Sequence, residues 1–117
     1  MKYLVLMYGE ESRWERATAQ ERETVMQAHN AFDAAVRERA RMLGGEALAE
    51  AASSSTLRPA AAGGSRQVTD GPYAEAVEQL GGFYLVEAPD LDEMIALCQR
   101  LPDYYTIEIR PTVDVDL

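Results

Sequence analysis

The chain contains a single histidine, His29, and its place on a predicted helix makes it the first candidate for chemistry. It lies between Val25 and Phe32, in a stripe of residues at helical spacing that faces the protein core. An imidazole in such a place needs a hydrogen-bond partner, and its pKa is readily tuned towards neutral pH. His29 is therefore either a general acid or base in a pocket between helix and sheet, or a core histidine bonded to a backbone carbonyl.

Asp70 is the second candidate, because it ends a predicted strand and opens the turn Asp70-Gly71-Pro72. Its carboxylate would orient His29 or bind a substrate. The alternative is a turn cap, in which the carboxylate accepts hydrogen bonds from the backbone N–H groups of Tyr73 or Ala74. The cap accounts for the aspartate and the glycine together, whereas catalysis requires only the aspartate.

Other polar side chains are candidates to contact a substrate. Arg110, on the more polar face of the last predicted strand, would bind an anionic group or pair with surface carboxylates. Glu75 and Glu78 have a spacing that suits acid–base or metal chemistry but more often marks a solvated face. Tyrosines combine an apolar body with a polar tip, which suits a pocket, a core or an interface; these are Tyr73, Tyr84, Tyr104 and Tyr105. The predicted substrate-binding residues are Tyr73, Tyr84 and Arg110.

Metal and cofactor sites are not expected. One histidine and one cysteine, Cys98, make no zinc site without several carboxylates. The sequence has no phosphate-binding loop, dinucleotide fingerprint or Gly-x-Ser-x-Gly motif. Cys98 lies on a predicted core stripe and is expected to be an inert small hydrophobic residue.

The composition indicates one globular domain, residues 1–117, without nucleic-acid or membrane partners. The net charge of -9 disfavours binding to phosphate backbones or anionic membrane surfaces. No apolar stretch approaches the roughly 20 residues that a membrane span needs, and the segment from Met1 to Tyr8 does not resemble a signal peptide. A single cysteine fits a reducing cytoplasm.

The first half of the chain predicts a strand and a long helix that position His29. Residues 2–8 are apolar on both alternating faces, which predicts a strand buried on both sides. Thr18 and Glu21 have capping-box spacing, and Gly44-Gly45 would end a helix of about 25 residues. Ala47 begins a possible second strand.

The second half predicts short strands and a second helix. Residues 54–58 read as a weak edge hairpin followed by a mobile Ala-Gly-Gly-Ser loop, with a disordered linker as the alternative. Residues 67–69 read as a short strand. One or two helical turns are expected from Pro72 to Gln79. A strand follows over Gly82–Ala88, and a helix capped by Asp90 carries a stripe of apolar residues, which are Leu91, Met94, Ile95, Cys98 and Leu101. Residues 105–110 form the last strand.

This order, β-α-β-(β)-β-β-α-β, predicts an α+β sandwich in which two long helices cover one face of an antiparallel sheet. The opposite face would still carry apolar side chains. Patches of that kind usually mark an interface, so a homodimer through the free sheet face is predicted.

Several motifs resemble the DGPF branch of the YCII-related family. They are Asp70-Gly71-Pro72-Tyr73-Ala74-Glu75, Glu78 to Phe83, Asp90 to Glu93, Ile107 to Pro111 and the opening Lys2 to Met7. The resemblance covers nearly the whole chain. Tyr73 stands where the branch is named for phenylalanine, and Val77 replaces a frequent lysine, which weakens any lysine-based chemistry.

The resemblance implies a ferredoxin-like fold of the dimeric α+β barrel type and a His–Asp pair. His29-x-x-Phe32 is similar to the family's histidine segment. Pro102-Asp103 reverses the family's Asp-Pro order, so Asp70 is the better counterpart for the aspartate. Some members of the branch resemble neighbours of extracytoplasmic-function sigma factors, which implies a regulatory context.

The leading functional hypothesis is a cofactor-free enzyme in which His29, helped by Asp70, moves a proton on a small organic molecule. The alternatives are a non-catalytic ligand-binding or regulatory module, tied to a sigma factor, and a purely structural dimer. The substrate is not specified by the sequence.

Overall fold

The computed structural model describes residues 1–116 and shows an α+β fold with two sheets. The helices are α1 (Glu11–Arg16), α2 (Ala19–Arg39) and α3 (Leu91–Cys98), with a short 3-10 helix at Ala51–Ser53. The strands are β1 (Lys2–Glu10), β2 (Arg41–Ala47), β3 (Ser55–Leu57), β4 (Val68–Asp70), β5 (Glu78–Glu87) and β6 (Thr106–Pro111). The main sheet has the order β2-β5-β1-β6 with antiparallel neighbours, and β3 pairs with β4 in a separate hairpin. The predicted ferredoxin-like α+β fold is thus confirmed.

Strand β1 lies at the centre of the main sheet because both of its faces are apolar. Tyr3, Val5 and Met7 are buried under the helices, while Leu4 and Leu6 are half-buried on the opposite face. The strand pairs with β5 on one side and β6 on the other. The fully buried core therefore lies on the helix side of the sheet, and the apolar side chains of the opposite face are only half-buried.

The core lies between this sheet and helices α2 and α3. Its fully buried side chains come from α2, α3 and the sheet, and they are Phe32, Met94, Leu97, Val5, Val36 and Val86. Helix α2 begins at the predicted capping box, in which Thr18 and Glu21 each satisfy a backbone N–H of the other. Asp90 caps α3 as predicted, by accepting a hydrogen bond from the backbone N–H of Glu93.

The predicted end of the long helix is wrong. Helix α2 ends at Arg39, and Gly44 and Gly45 belong to β2, where they pair with Leu85 and Tyr84. A side chain at Gly45 would collide with its neighbours, so this glycine permits a close approach of strands and does not terminate a helix. Helix α1, directly after β1, was not predicted.

The stripe of α3 also differs from the prediction. Leu91 and Ile95 are exposed, whereas Leu97 is fully buried with Met94 and next to Cys98. Met94, Cys98 and Leu101 of the predicted stripe are buried, with Leu101 just beyond the end of α3, so the buried face is shifted towards Leu97 relative to the predicted one.

The short strand predicted at 67–69 and the turn after it are present, but the hairpin predicted within 54–58 is wrong, because that segment is a single strand that pairs with the later one. The short helix predicted after the turn does not form. Ser55–Leu57 pairs with Val68–Asp70, and Gly71 has a φ of 99°, in the left-handed region that favours glycine. The segment after Pro72 is irregular, and β5 already begins at Glu78 because β1 extends far enough to pair with it. The Gln79 amide donates hydrogen bonds to the carbonyls of Ala74 and Ala76, which satisfies the backbone without a helix. Within residues 1–116, no helix has the length and apolar character needed to cross a bilayer.

Candidate active site

His29 lies half-buried on the sheet-facing side of α2, one turn after buried Val25 and three residues before buried Phe32. This position follows from the helical spacing that puts all three side chains on one face. The imidazole of His29 therefore lies at the end of the core, next to a cavity between the helices and the sheet.

Two tyrosine hydroxyls occupy both ring nitrogens of His29. Nδ1 lies 2.7 Å from the hydroxyl of Tyr84, and Nε2 lies 3.0 Å from the hydroxyl of Tyr105. Tyr84 comes from the middle of β5, and Tyr105 lies directly before β6, so the two strands bring them to opposite sides of the ring. We call Tyr84, His29 and Tyr105 the Tyr–His–Tyr triad.

Burial favours the neutral form of the triad imidazole. Burial lowers the pKa of His29 below its ordinary value, because desolvation disfavours the charged form. A neutral imidazole has one N–H and one bare nitrogen. One tyrosine therefore donates to the bare nitrogen, and the other accepts from the N–H and keeps its own O–H for another partner.

Both tyrosines are held as neutral phenols. Burial, and then the negative charge of Asp33, raises the pKa of Tyr84. Burial, and then the adjacent Tyr104, raises the pKa of Tyr105 above its usual range. The triad consequently presents uncharged hydroxyl groups, which donate and accept hydrogen bonds but carry no charge at rest.

A cavity of about 840 Å³ opens onto the triad. Its walls come from α1, α2 and the ends of β1, β2 and β5 at one edge of the sheet, and they include Trp14, Met26 and Leu48 together with the three triad residues. The volume lies in the range typical of sites for small organic molecules, roughly 300–1,000 Å³. Because both imidazole nitrogens are already bonded, a ligand in this cavity meets the tyrosine hydroxyls first.

The structure brings two of the five predicted site residues together, His29 and Tyr84. Asp70 lies at the end of β4, opposite Ser55 in the separate hairpin, and does not line the cavity. The predicted His29–Asp70 pair is not formed within the chain, since the triad tyrosines hold both ring nitrogens. His29 also does not bond a backbone carbonyl, the alternative predicted for a core histidine, because both of its ring nitrogens bond tyrosine hydroxyls.

The other two predicted substrate-binding residues also lie outside the cavity. Tyr73 is 75% exposed, and the guanidinium of Arg58 lies over its ring. Arg110 is on the free face of the sheet and forms an ion pair with Glu108. The turn at Asp70 is held by a hydrogen bond from the Gly71 N–H to the Ser54 carbonyl.

Tyr105 was grouped with the pocket tyrosines but not assigned to His29, and Trp14 was not singled out. Strand alternation contained part of the signal. Tyr105 shares its parity with Ile107 and Ile109, and Tyr84 shares its parity with buried Val86, so both rings lie on the helix-covered face. Trp14 depends on α1, a six-residue helix that the sequence pattern did not reveal.

Metal and thiol chemistry find no support at other positions. Residues 1–116 contain no group of three or more histidine, cysteine or acidic side chains arranged to hold a metal ion. Cys98 is a buried free cysteine, and burial raises its pKa to about 11, so it remains a thiol and not a nucleophilic thiolate.

Two comparisons place the chain among known proteins. The family model described as YCII-related domain matches residues 1–115. An uncharacterised protein from Rhizobium meliloti (strain 1021) is 35% identical over 115 residues, which covers 95% of this chain and 91% of the relative.

Proposed function

The chain belongs to the YCII-related family, and from that premise we propose that it is a cofactor-free cytoplasmic enzyme that transfers protons on a small organic molecule bound beside His29. The observation that carries the proposal is the Tyr–His–Tyr triad, in which one imidazole connects two hydroxyl groups that both line a cavity. Every group needed for proton transfer is then a protein side chain.

The triad supplies an acid and a base at the same time. The tyrosine that donates to the bare ring nitrogen offers its oxygen lone pairs to a ligand, and the tyrosine that accepts the ring N–H offers its O–H. Both hydroxyls are neutral, since burial raises the pKa of Tyr84 and of Tyr105. Such an arrangement suits tautomerisation or isomerisation, in which one atom of the substrate loses a proton and another gains one.

The proposed step balances without any charge on His29. The first tyrosine takes a proton from the substrate while its own proton passes to the bare imidazole nitrogen. The opposite ring N–H passes its proton to the second tyrosine, whose hydroxyl proton passes to the substrate. The imidazole ends neutral in its other tautomer, which fits a histidine whose pKa is lowered by burial.

The test is hydrogen–deuterium exchange at the α-carbon of a panel of small ketones in D2O, both neutral and amino-substituted, followed by proton NMR. The wild type is expected to accelerate exchange of at least one compound. His29→Gln and Tyr84→Phe should each lose about 10²–10⁴-fold of that acceleration. Asp70→Asn is informative beside them, because a role for Asp70 in catalysis predicts a loss and a role only in the turn predicts none.

The rival proposal is a non-catalytic ligand-binding module. It predicts compounds that shift the ring signals of His29 but whose exchange is not accelerated. A panel in which no compound is exchanged faster with the wild type than with His29→Gln would contradict the enzymatic proposal.

We also propose that the protein forms a homodimer through the free face of the main sheet. Leu4 pairs with Leu85 and Leu6 pairs with Phe83, which gives two adjacent rows of apolar side chains on that face. These side chains are only half-buried in the single chain. A second copy packed face to face would remove them from water, and two-fold dimers are the commonest way to do so.

A further inference from the structure

The cavity beside the triad is strongly acidic. Six of its lining residues carry carboxylates, and none is a lysine or an arginine; the six are Glu10, Glu11, Glu15, Asp33, Glu46 and Glu50. They come from α1, α2, the end of β1, the end of β2 and the segment after it. Glu46 pairs with Phe83, so its side chain projects from the free face, and the other five carboxylates lie around the opening. A ligand entering this cavity therefore meets a negative potential.

Little of this charge is compensated by ion pairs. Of the three ion pairs found in residues 1–116, only Arg37–Asp33 involves a lining carboxylate, with 2.9 Å between Nε and Oδ2. Glu11 accepts a hydrogen bond from the Ala51 backbone N–H, which stabilises a carboxylate without neutralising it. The remaining carboxylates have no ion-pair partner in the described chain, so the potential is not cancelled locally.

Aromatic rings at the same opening are suited to cations. The guanidinium of Arg22 lies 4.9 Å from the ring centroid of Trp14, and that of Arg13 lies 4.2 Å from the ring centroid of Tyr104. Both rings line the cavity, but neither arginine does. These contacts show that the aromatic faces here attract positive charge, and the two arginines offset part of the negative charge around the cavity.

We propose that the ligand of this cavity is an organic cation, a small amine with an apolar or aromatic body. Its ammonium group would lie among the carboxylates of the opening, and its body would pack against Trp14, Met26 and Leu48 in reach of the triad hydroxyls. Carboxylate- and phosphate-bearing metabolites would be repelled. This names the substrate class of the proposed enzyme, while the charge preference itself concerns binding and is measured without turnover.

The test uses three probes with the same ring and different charge: benzylamine, which is protonated at pH 7, benzyl alcohol and benzoate. Dissociation constants would come from NMR titrations of the His29 ring signals. Benzylammonium is expected to bind at least about tenfold more tightly than benzyl alcohol, to lose affinity as sodium chloride is raised, and benzoate to bind most weakly. Equal affinities for the three probes, or tighter binding of benzoate, would overturn the proposal.

Matched variants separate the local carboxylates from the overall charge. Glu15→Gln with Glu50→Gln removes two lining charges, and Glu23→Gln with Glu75→Gln removes two charges that do not line the cavity. The first pair should reduce the preference for benzylammonium over benzyl alcohol severalfold, and the second should leave it unchanged. Equal effects of the two pairs would also overturn the proposal.

His29→Gln distinguishes this inference from the proposed function. It should abolish deuterium exchange but retain the preference for the cationic probe, read in that variant by the Trp14 indole signal. Charge-selective binding without any exchange in the wild type would contradict the enzymatic proposal alone. Exchange of ketones together with no charge preference would contradict the cation proposal alone.

Discussion

Gly45 of β2 lies directly against the ring of Tyr84 on the paired strand β5. A β-carbon at position 45 would lie 2.7 Å from Cδ1 of Tyr84 and 2.9 Å from the carbonyl oxygen of Phe83, closer than real contacts allow. The absence of a side chain at Gly45 thus lets the Tyr84 ring lie where its hydroxyl meets Nδ1 of His29. A backbone position on an outer strand thereby supports the geometry of the triad.

Gly45→Ala is expected to displace the Tyr84 ring and to lower the free energy of unfolding by about 1–3 kcal/mol, the usual cost of overpacking. The displaced hydroxyl should also shift the His29 ring signals in NMR spectra. Gly44→Ala is the matched control, because nothing lies within 4 Å of a β-carbon there. Equal stability and unchanged His29 signals in both variants would argue against a role for Gly45 in placing Tyr84.

Removing one hydroxyl of the triad should leave one nitrogen of His29 without a partner. We expect Tyr84→Phe and Tyr105→Phe each to lower the free energy of unfolding by about 0.5–1.5 kcal/mol, as measured by urea denaturation. Tyr73→Phe serves as the control, since Tyr73 is largely exposed and makes no contact with the triad. Indistinguishable stabilities for all three variants would mean that the hydrogen bonds contribute no net stability.

The local signals in the sequence predicted the two helix caps and the first strand. The caps at Thr18 and Asp90 depend on side chains three residues apart, and the alternation of Tyr3, Val5 and Met7 depends only on strand geometry. These features depend on contacts between residues close together in the chain, and such contacts can be predicted from residue type and spacing. The α+β architecture could therefore be anticipated, whereas the order of the strands in the sheet could not.

The contacts that define the site are not local. His29 and Tyr105 are 76 residues apart in the chain, and nothing in either neighbourhood specifies the other. Gly45 shows the same limit, since a glycine that admits a ring from a neighbouring strand has the same appearance in sequence as one that ends a helix. The sequence therefore predicts Asp70 as the partner of His29, on chemistry and resemblance, whereas the strands bring two tyrosines to its ring.

The rotated face of α3 gives a direct test of the packing. Leu97 is fully buried and Leu91 is 47% exposed, although both belong to the same helix. Leu97→Ala should lower the free energy of unfolding by about 2–5 kcal/mol, because it leaves a cavity in the core. Leu91→Ala should change it by less than about 1 kcal/mol. A larger effect at Leu91, measured by thermal or urea unfolding, would contradict the observed rotation and favour the predicted stripe.

The proposed dimer is tested by placing a charge on the free face of the sheet. Leu85 pairs with Leu4 there and does not line the cavity. Leu85→Glu is expected to give a monomer in sedimentation-velocity experiments under conditions where the wild type is dimeric, because two carboxylates would be buried at the two-fold interface. Leu91→Glu, on the exposed side of α3, should leave the association state unchanged. A monomeric wild type would remove the proposal at once.

Because the chain has a single histidine, a change in its stability near neutral pH can be attributed to His29. Burial lowers the pKa of His29 in the folded protein, so at mildly acidic pH the unfolded chain binds a proton that the folded protein resists. The stabilising contribution is complete above the unfolded pKa of about 6.5. It is lost as the pH falls from that value through the lower pKa of the folded state, and the loss then levels off.

His29→Gln retains hydrogen-bonding groups but does not titrate, so it removes this dependence. We expect the difference in unfolding free energy between wild type and variant, from urea titrations at pH 7.5, 6.5, 5.5 and 5.0 (roughly this range spans the histidine transition), to move against the wild type as the pH falls. The carboxylates titrate in both proteins and cancel in the difference. If the difference moved in favour of the wild type on acidification, the folded protein would stabilise the imidazolium form of His29. The proposed proton relay through a neutral imidazole would then be wrong, and a relay through a charged imidazole would replace it.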